Sequence, residues 1–215
     1  VEVEMFNEIT EQAYVEAVRM MFSGMSVSEG MAEYCQFLQN LIPSPIWELA
    51  TELDYDESSR DLTDWFTTVL RDEPPPSDAE VLYFGLSDMG NQLGLLGYRE
   101  YVEDEQGPAE LCGMLYCPEN QDSQSKILED IHRIAYLGVD QVLGDIRWIG
   151  EACLPLVYAG LSTAQMLRAL PVDQLLSGRE NRYVAVCFDE GDFFFLGEIT
   201  RSGWQYQQVP AWLSE

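Results

Sequence analysis

Positive charge is what this chain has least of. Against 38 acidic side chains stand 11 basic ones, ten arginines with Lys126 as the one lysine, and a single histidine, for a formal charge of −27 over 215 residues. A field of that sign repels phosphate backbones and anionic membrane surfaces and draws cationic partners, so direct nucleic-acid binding is excluded first. The lone histidine, His132, cannot build a zinc site with two or three histidines. The lone lysine lets Ser123-Gln124-Ser125-Lys126 match S-x-x-K but leaves none for the companion K-T-G element, and Ser123 or Ser125 reads as a helix cap. Long apolar runs are missing too: Ala152 to Leu161 falls far short of the roughly 20 residues a membrane span needs. The acidic Val1-Glu2-Val3-Glu4 is unlike a secretory signal. Five cysteines (Cys35, Cys112, Cys117, Cys153, Cys187) are odd in number and scattered, so no disulfide framework is expected; Cys112 and Cys117 read as buried free thiols. The expectation is a reduced, cytoplasmic protein without membrane attachment, metal or cofactor.

What is present is the composition of a folded protein. The 47% hydrophobic and 12% aromatic fractions separate it from a disordered acidic tail. Spread evenly over roughly 10,000 Å², the excess charges would lie about 19 Å apart, beyond the ~8 Å screening length. They are not even: residues 1–105 hold 23 acids and 4 bases, whereas 106–215 hold 15 and 7. The chain reads as one domain, 1–215, with 1–105 and 106–215 as conceivable sub-units.

The first third carries helical spacing. Ile9, Ala13, Ala17, Met20 and Met21 share a face, and Ser26-Val27-Ser28-Glu29 has capping-box spacing before Met31, Tyr34, Leu38 and Leu41. Pro43 and Pro45 end that helix. Ile46, Leu49, Ala50 and Leu53 predict a short third helix. After the acidic run Asp54-Tyr55-Asp56-Glu57, a fourth follows through Leu62, Trp65, Phe66, Val69 and Leu70, with Ser58 and Asp61 as its cap. Past Pro74-Pro75-Pro76, Val81 to Leu86 and Gln92 to Tyr98 read as a hairpin about the turn at 88–91. The Glu100 to Gln106 stretch reads as an acidic loop, and Glu110 to Cys117 as a third strand. Ile127, Ile131, Ile134 and Ala135 return to helical spacing up to Gly138, with further helices predicted at Val142 to Ile149 and Ala164 to Leu170. A second hairpin, Tyr183 to Phe188 and Phe193 to Thr200 about 189–192, precedes a last strand at Trp204 to Tyr206. The fold class is α+β, antiparallel hairpins or sheet covered by amphipathic helices after a helical N-terminal third. The two helix–hairpin units resemble each other at a period near 100 residues, which internal duplication or chance would both explain.

Motifs for chemistry mostly fail. Gly160-Leu161-Ser162-Thr163-Ala164 after an apolar run imitates a nucleophile elbow, but that fold takes its histidine after the serine and His132 comes before; Ser162 reads as a helix cap. Asp54-Tyr55-Asp56-Glu57-Ser58 would need glycine and glutamate where Ser59 and Trp65 stand to bind calcium as an EF-hand. No phosphate-cradling loop is present. The reading that remains is a non-enzymatic, acidic protein-binding protein. It would be an inhibitor or immunity-type protein for a basic toxin or nuclease, or a nucleic-acid charge mimic, meeting a basic protein partner through Asp54, Asp56, Glu57, Asp61 and Asp64 and the loop Glu103, Asp104 and Glu105. Its rivals are a hydrolase using two carboxylates and a salt-adapted protein of any function.

Overall fold

The computed structural model describes residues 8–87, 91–102, 110–123, 125–137, 144–188 and 193–207. The first four helices follow local chemistry. Helix α1 (Glu8–Met21) buries Ala13, Ala17, Met20 and Met21. Helix α2 (Val27–Leu41) starts at Ser26 with both halves of the capping box formed, Ser26 and Glu29 each accepting from the other's backbone N–H. Helix α3 (Pro45–Thr51) places its proline in the first turn behind Ser44. It buries Ile46, Trp47 and Ala50 but leaves Leu49, expected on that face, 41% exposed. Helix α4 (Tyr55–Asp72) begins one turn earlier than the Ser58 and Asp61 cap predicts: Asp54 is the N-cap, accepting from the Glu57 N–H at 3.0 Å. The acidic run is therefore the helix's first turn, where negative charge meets the positive end of the helix dipole.

Strands β1 (Val81–Leu86), β2 (Leu93–Val102) and β3 (Glu110–Tyr116) form one antiparallel meander, and β4 (Asn181–Phe188), β5 (Phe194–Thr200) and β6 (Gly203–Tyr206) another. They join in a single six-stranded sheet of order β3-β2-β1-β4-β5-β6, whose central pair, β1 with β4, is parallel. Both predicted hairpins are antiparallel as expected; the parallel pair that joins them lies outside that expectation, and it requires the long helical crossover between the two strands. Its register sets Leu82 beside Val184, while Gly97 lies opposite Leu82 and Gly197 opposite Val184. With Tyr116 and Tyr206 beyond them, one row across the whole sheet reads Tyr-Gly-Leu-Val-Gly-Tyr. The glycines make room for bulky neighbours: a Cβ on Gly97 would sit 2.8 Å from Tyr116 Cβ, and one on Gly197 would strike the Gln205 carbonyl and the Trp204 ring. A rotation exchanging the meanders would turn this face over, whereas both glycines lie on the same face. The likeness of the hairpins is thus one of layout and packing. The turns at 88–90 and 189–192 lie outside the described residues.

In the crossover, helix α5 (Lys126–Leu137) buries Ile127, Ile131, Ile134 and Ala135 as its spacing predicts, and Ser125 caps it by accepting from the Leu128 N–H. Gly138 and Val142 lie outside the described residues. Helix α6 (Gly144–Trp148) runs into a π-helical turn, Ile149–Cys153, and then into α7 (Leu154–Ala169). Helix α7 starts ten residues before the expected Ala164, absorbs the apolar run, and places Ser162 mid-helix, its hydroxyl donating to the Tyr158 carbonyl at 2.6 Å. Ser162 is no cap. A short α8 (Val172–Leu176), missed in the sequence, follows Pro171. Helix α7 is buried all round from Leu154 to Ala164 because it is central: it meets α1, α2, α4, β1, β4 and β6. Across the core, Phe66 of α4 meets Phe84 of β1 edge-on at 5.3 Å.

Candidate acidic groove

The first turns of α4 carry the acids that the sequence singles out, and α4's docking on α5 decides which of them meet. Asp54, Glu57 and Asp61 recur at i, i+3 and i+7 and so share one face of α4. That face lines a groove of about 180 Å³ together with Leu53, Ser58 and, from α5, Lys126, Ile127 and Asp130. Asp56 turns instead toward α2, accepting from the Ser28 hydroxyl at 2.7 Å. Asp64 lies along a separate groove between α4 and α7, with Ser59, Arg60, Thr63, Gln165 and Ala169. Glu103, Asp104 and Glu105 lie outside the described residues.

The groove rests on a buried polar floor. The Ser58 hydroxyl is hydrogen-bonded to the Tyr158 hydroxyl at 2.5 Å, and the Tyr55 hydroxyl donates to the Ala50 carbonyl at 2.7 Å. Burial pushes the pKa of both phenols above the usual tyrosine range. They stay neutral and hold α4 against α7 and α3, while Asp54, Glu57 and Asp61 above them are exposed.

Residues 48–64 hold seven acids, Glu48 and Glu52 with the five already named, against Arg60 alone. Among the described residues none of the seven forms an ion pair; the pairs present are Arg19 with Glu16, Arg71 with Asp72, Arg99 with Asp78, Arg133 with Asp130, Arg147 with Glu151 and Arg179 with Glu80. Arg60 spends its Nε–H on the Asp56 carbonyl. Chemically, the groove offers three unpaired exposed carboxylates, Asp54, Glu57 and Asp61, with the Arg133-paired Asp130 and one exposed ammonium, Lys126. Sequence reasoning overlooked Lys126 and Asp130 as neighbours of these acids; they sit at i and i+4 on α5 and reach the groove only through helix docking. It also overlooked Glu48 and Glu52, whose i, i+4 spacing on and just past α3 was readable.

The other sequence candidates stand apart. His132 is half-buried against the Tyr136 ring, 4.7 Å between centroids, and its Nδ1 lacks a hydrogen-bond partner among the described residues. Cys117 is exposed and Cys112 half-buried, correcting the expectation of two buried thiols; Cys35, Cys153 and Cys187 are buried. Among the described residues no cluster of three or more His, Cys, Asp or Glu side chains is placed to hold a metal, and no helix is long and apolar enough to cross a membrane. Comparison with protein-family models, with curated proteins and with solved structures finds no match for this chain.

Proposed function

We propose that this chain is a protein-binding protein that neutralises a cationic partner through the acidic surface around the start of α4, in the manner of an inhibitor or immunity protein for a basic toxin or nuclease, or of a nucleic-acid charge mimic. One observation carries the reading: seven acids in residues 48–64 without an ion pair among the described residues. An unpaired, exposed field of one sign contributes little to folding, and it speeds encounter with a partner of opposite sign. Asp54, Glu57 and Asp61 are the contact residues, with Asp56 and Asp64 on the flanks. Charge of this kind sets the association rate and partner choice, whereas an acid desolvated on binding costs about 2–5 kcal/mol when truncated.

The test is affinity capture from the native source with the wild-type chain and with the triple variant Asp54→Asn, Glu57→Gln, Asp61→Asn. The reading expects a basic protein that the wild type retains at low salt, that the triple variant releases, and that the distal pair Asp173→Asn, Glu180→Gln retains. Equal capture by all three, or no basic protein, contradicts it.

A further inference from the structure

A second cavity lies on the sheet face turned away from Phe66 of α4. Register places Gly85 of β1 directly opposite Gly94 of β2, so at that point two neighbouring strands present only backbone. Tyr83 pairs with Leu96 in the next row on the same face, and Tyr98 follows beyond. The result is a hollow of about 180 Å³ with a glycine floor, walls of Tyr83, Tyr98 and Leu96, and a polar rim that includes Ser87, Gln92 and Asp122. Its size is below the ~300 Å³ at which drug-sized ligands begin, and at about 30 Å³ per water it displaces some six waters. It therefore fits one side chain or a molecule of similar bulk.

The chemistry of the walls selects among such occupants. The Tyr83 and Tyr98 rings stand edge to face, 6.0 Å apart at 88°, so one ring turns its edge and the other its face to the neighbour. Asp122 bridges to Gly94 through the backbone. A Cβ built on Gly94 would lie 3.0 Å from Asp122 Oδ1, which places that carboxylate oxygen over the floor. Among the described residues no cation pairs with Asp122, and no arginine or lysine lines the cavity. The hydroxyl of Ser87 is committed to Asn91 Oδ1 and that of Tyr83 to the Phe188 carbonyl. A carboxylate beside aromatic rings in a hollow favours a cation, which gains from both the charge and the ring quadrupole. A flat backbone floor favours a planar, weakly hydrated cation over a compact, strongly hydrated ammonium.

We propose that this cavity is a binding site for a single guanidinium group, held against the wall formed by the Tyr83 and Tyr98 rings, over the Gly85 and Gly94 floor, and paired with Asp122. The site is on the sheet, apart from the α4–α5 groove, and it stands whether or not that groove meets a protein. Titration of the full chain with N-acetyl-arginine amide, followed by amide NMR, tests it against the neutral near-isostere N-acetyl-citrulline amide. The arginine probe saturably shifts the resonances of Gly85, Gly94 and Tyr98. The citrulline probe binds about tenfold more weakly or less, the scale of one charge-assisted hydrogen bond. Asp122→Asn weakens the arginine probe by about the same factor and removes the discrimination. Gly94→Ala, which sets a methyl on the floor, weakens both probes while the melting transition shows the chain still folded. Equal affinity for the two probes, an Asp122→Asn variant that binds arginine unchanged, or shifts confined to the α4–α5 groove would each overturn the assignment.

Discussion

Replacing Asp54, Glu57 and Asp61 together by their amides separates electrostatics from structure at the start of α4. Asparagine at position 54 keeps the side-chain oxygen that caps the Glu57 N–H, so the capping bond survives while the charge is lost. What is lost is favourable interaction with the helix dipole, about 0.3–1 kcal/mol each for the two acids at the helix start, Asp54 and Glu57. What is gained is relief of repulsion. Neighbouring acids at i+3 and i+4 lie roughly 6 Å apart, giving about 0.7 kcal/mol per pair in water before screening and about half that at physiological salt. Asp54 and Asp61 are seven residues and so about 10 Å apart along the axis, which adds only a tenth or so of a kcal/mol. The two effects largely offset each other. The triple variant should unfold in urea within about 1 kcal/mol of the wild type, a shift in Tm of about 4 °C or less, with an unchanged m-value. Asp54→Ala, which removes the cap as well, should lose about 1 kcal/mol. A loss above about 2 kcal/mol in the triple variant would refute the reasoning, because it would mean that these acids are structural partners and not an unpaired surface.

Three further outcomes follow from the packing and the buried groups. Gly197→Ala should destabilise by about 2 kcal/mol or more, because the new methyl meets the Gln205 carbonyl and the Trp204 ring, and urea unfolding checks it; a neutral result would show that β6 does not pack on β5 as described. Tyr158→Phe removes the partner of the buried Ser58 hydroxyl and should cost about 1–3 kcal/mol, whereas the double change with Ser58→Ala should recover part of that loss in a double-mutant cycle. Burial raises the Cys35 thiol from 9.0 to about 11 and the Cys153 thiol from 9.0 to about 12. The stability these thiols contribute is therefore complete below pH 9 and lost as pH rises from 9 toward 12, at about 1.4 kcal/mol per thiol per pH unit. Thiol labelling should find Cys117 at once in the native protein and reach Cys35 and Cys153 only as alkaline or denaturant unfolding proceeds.

Features that depend on neighbours in sequence were legible, and those that depend on distant pairing were not. Ser26 and Glu29 announce α2 because a capping box closes within four residues, and Leu62, Phe66, Val69 and Leu70 announce α4 because one face meets the core and the other meets water. Helix α7 hid its start because its first eleven residues are buried on every side, which erases the periodicity, and because a π-helical turn feeds it without a side-chain cap. The parallel pairing of β1 with β4 joins residues about a hundred positions apart, and neither strand carries a local mark of it. The spacing of Asp54, Glu57 and Asp61 put three carboxylates on one helical face in the sequence alone; that Asp130 and Lys126 complete the groove depended on how α5 docks. Cys117 misled because it sits one residue past the end of β3, where the strand's burial no longer applies.

The salt dependence of the association rate tests the proposed function most directly. With a reconstituted complex of the wild-type chain and its captured basic partner, stopped-flow association measured from low to physiological salt should slow steeply for the wild type. The Asp54→Asn, Glu57→Gln, Asp61→Asn variant should associate more slowly at low salt and with a shallower slope, while Asp173→Asn, Glu180→Gln should follow the wild type. A wild-type rate indifferent to salt, or equal slowing by the two sets of changes, would contradict the assignment of recognition to the start of α4.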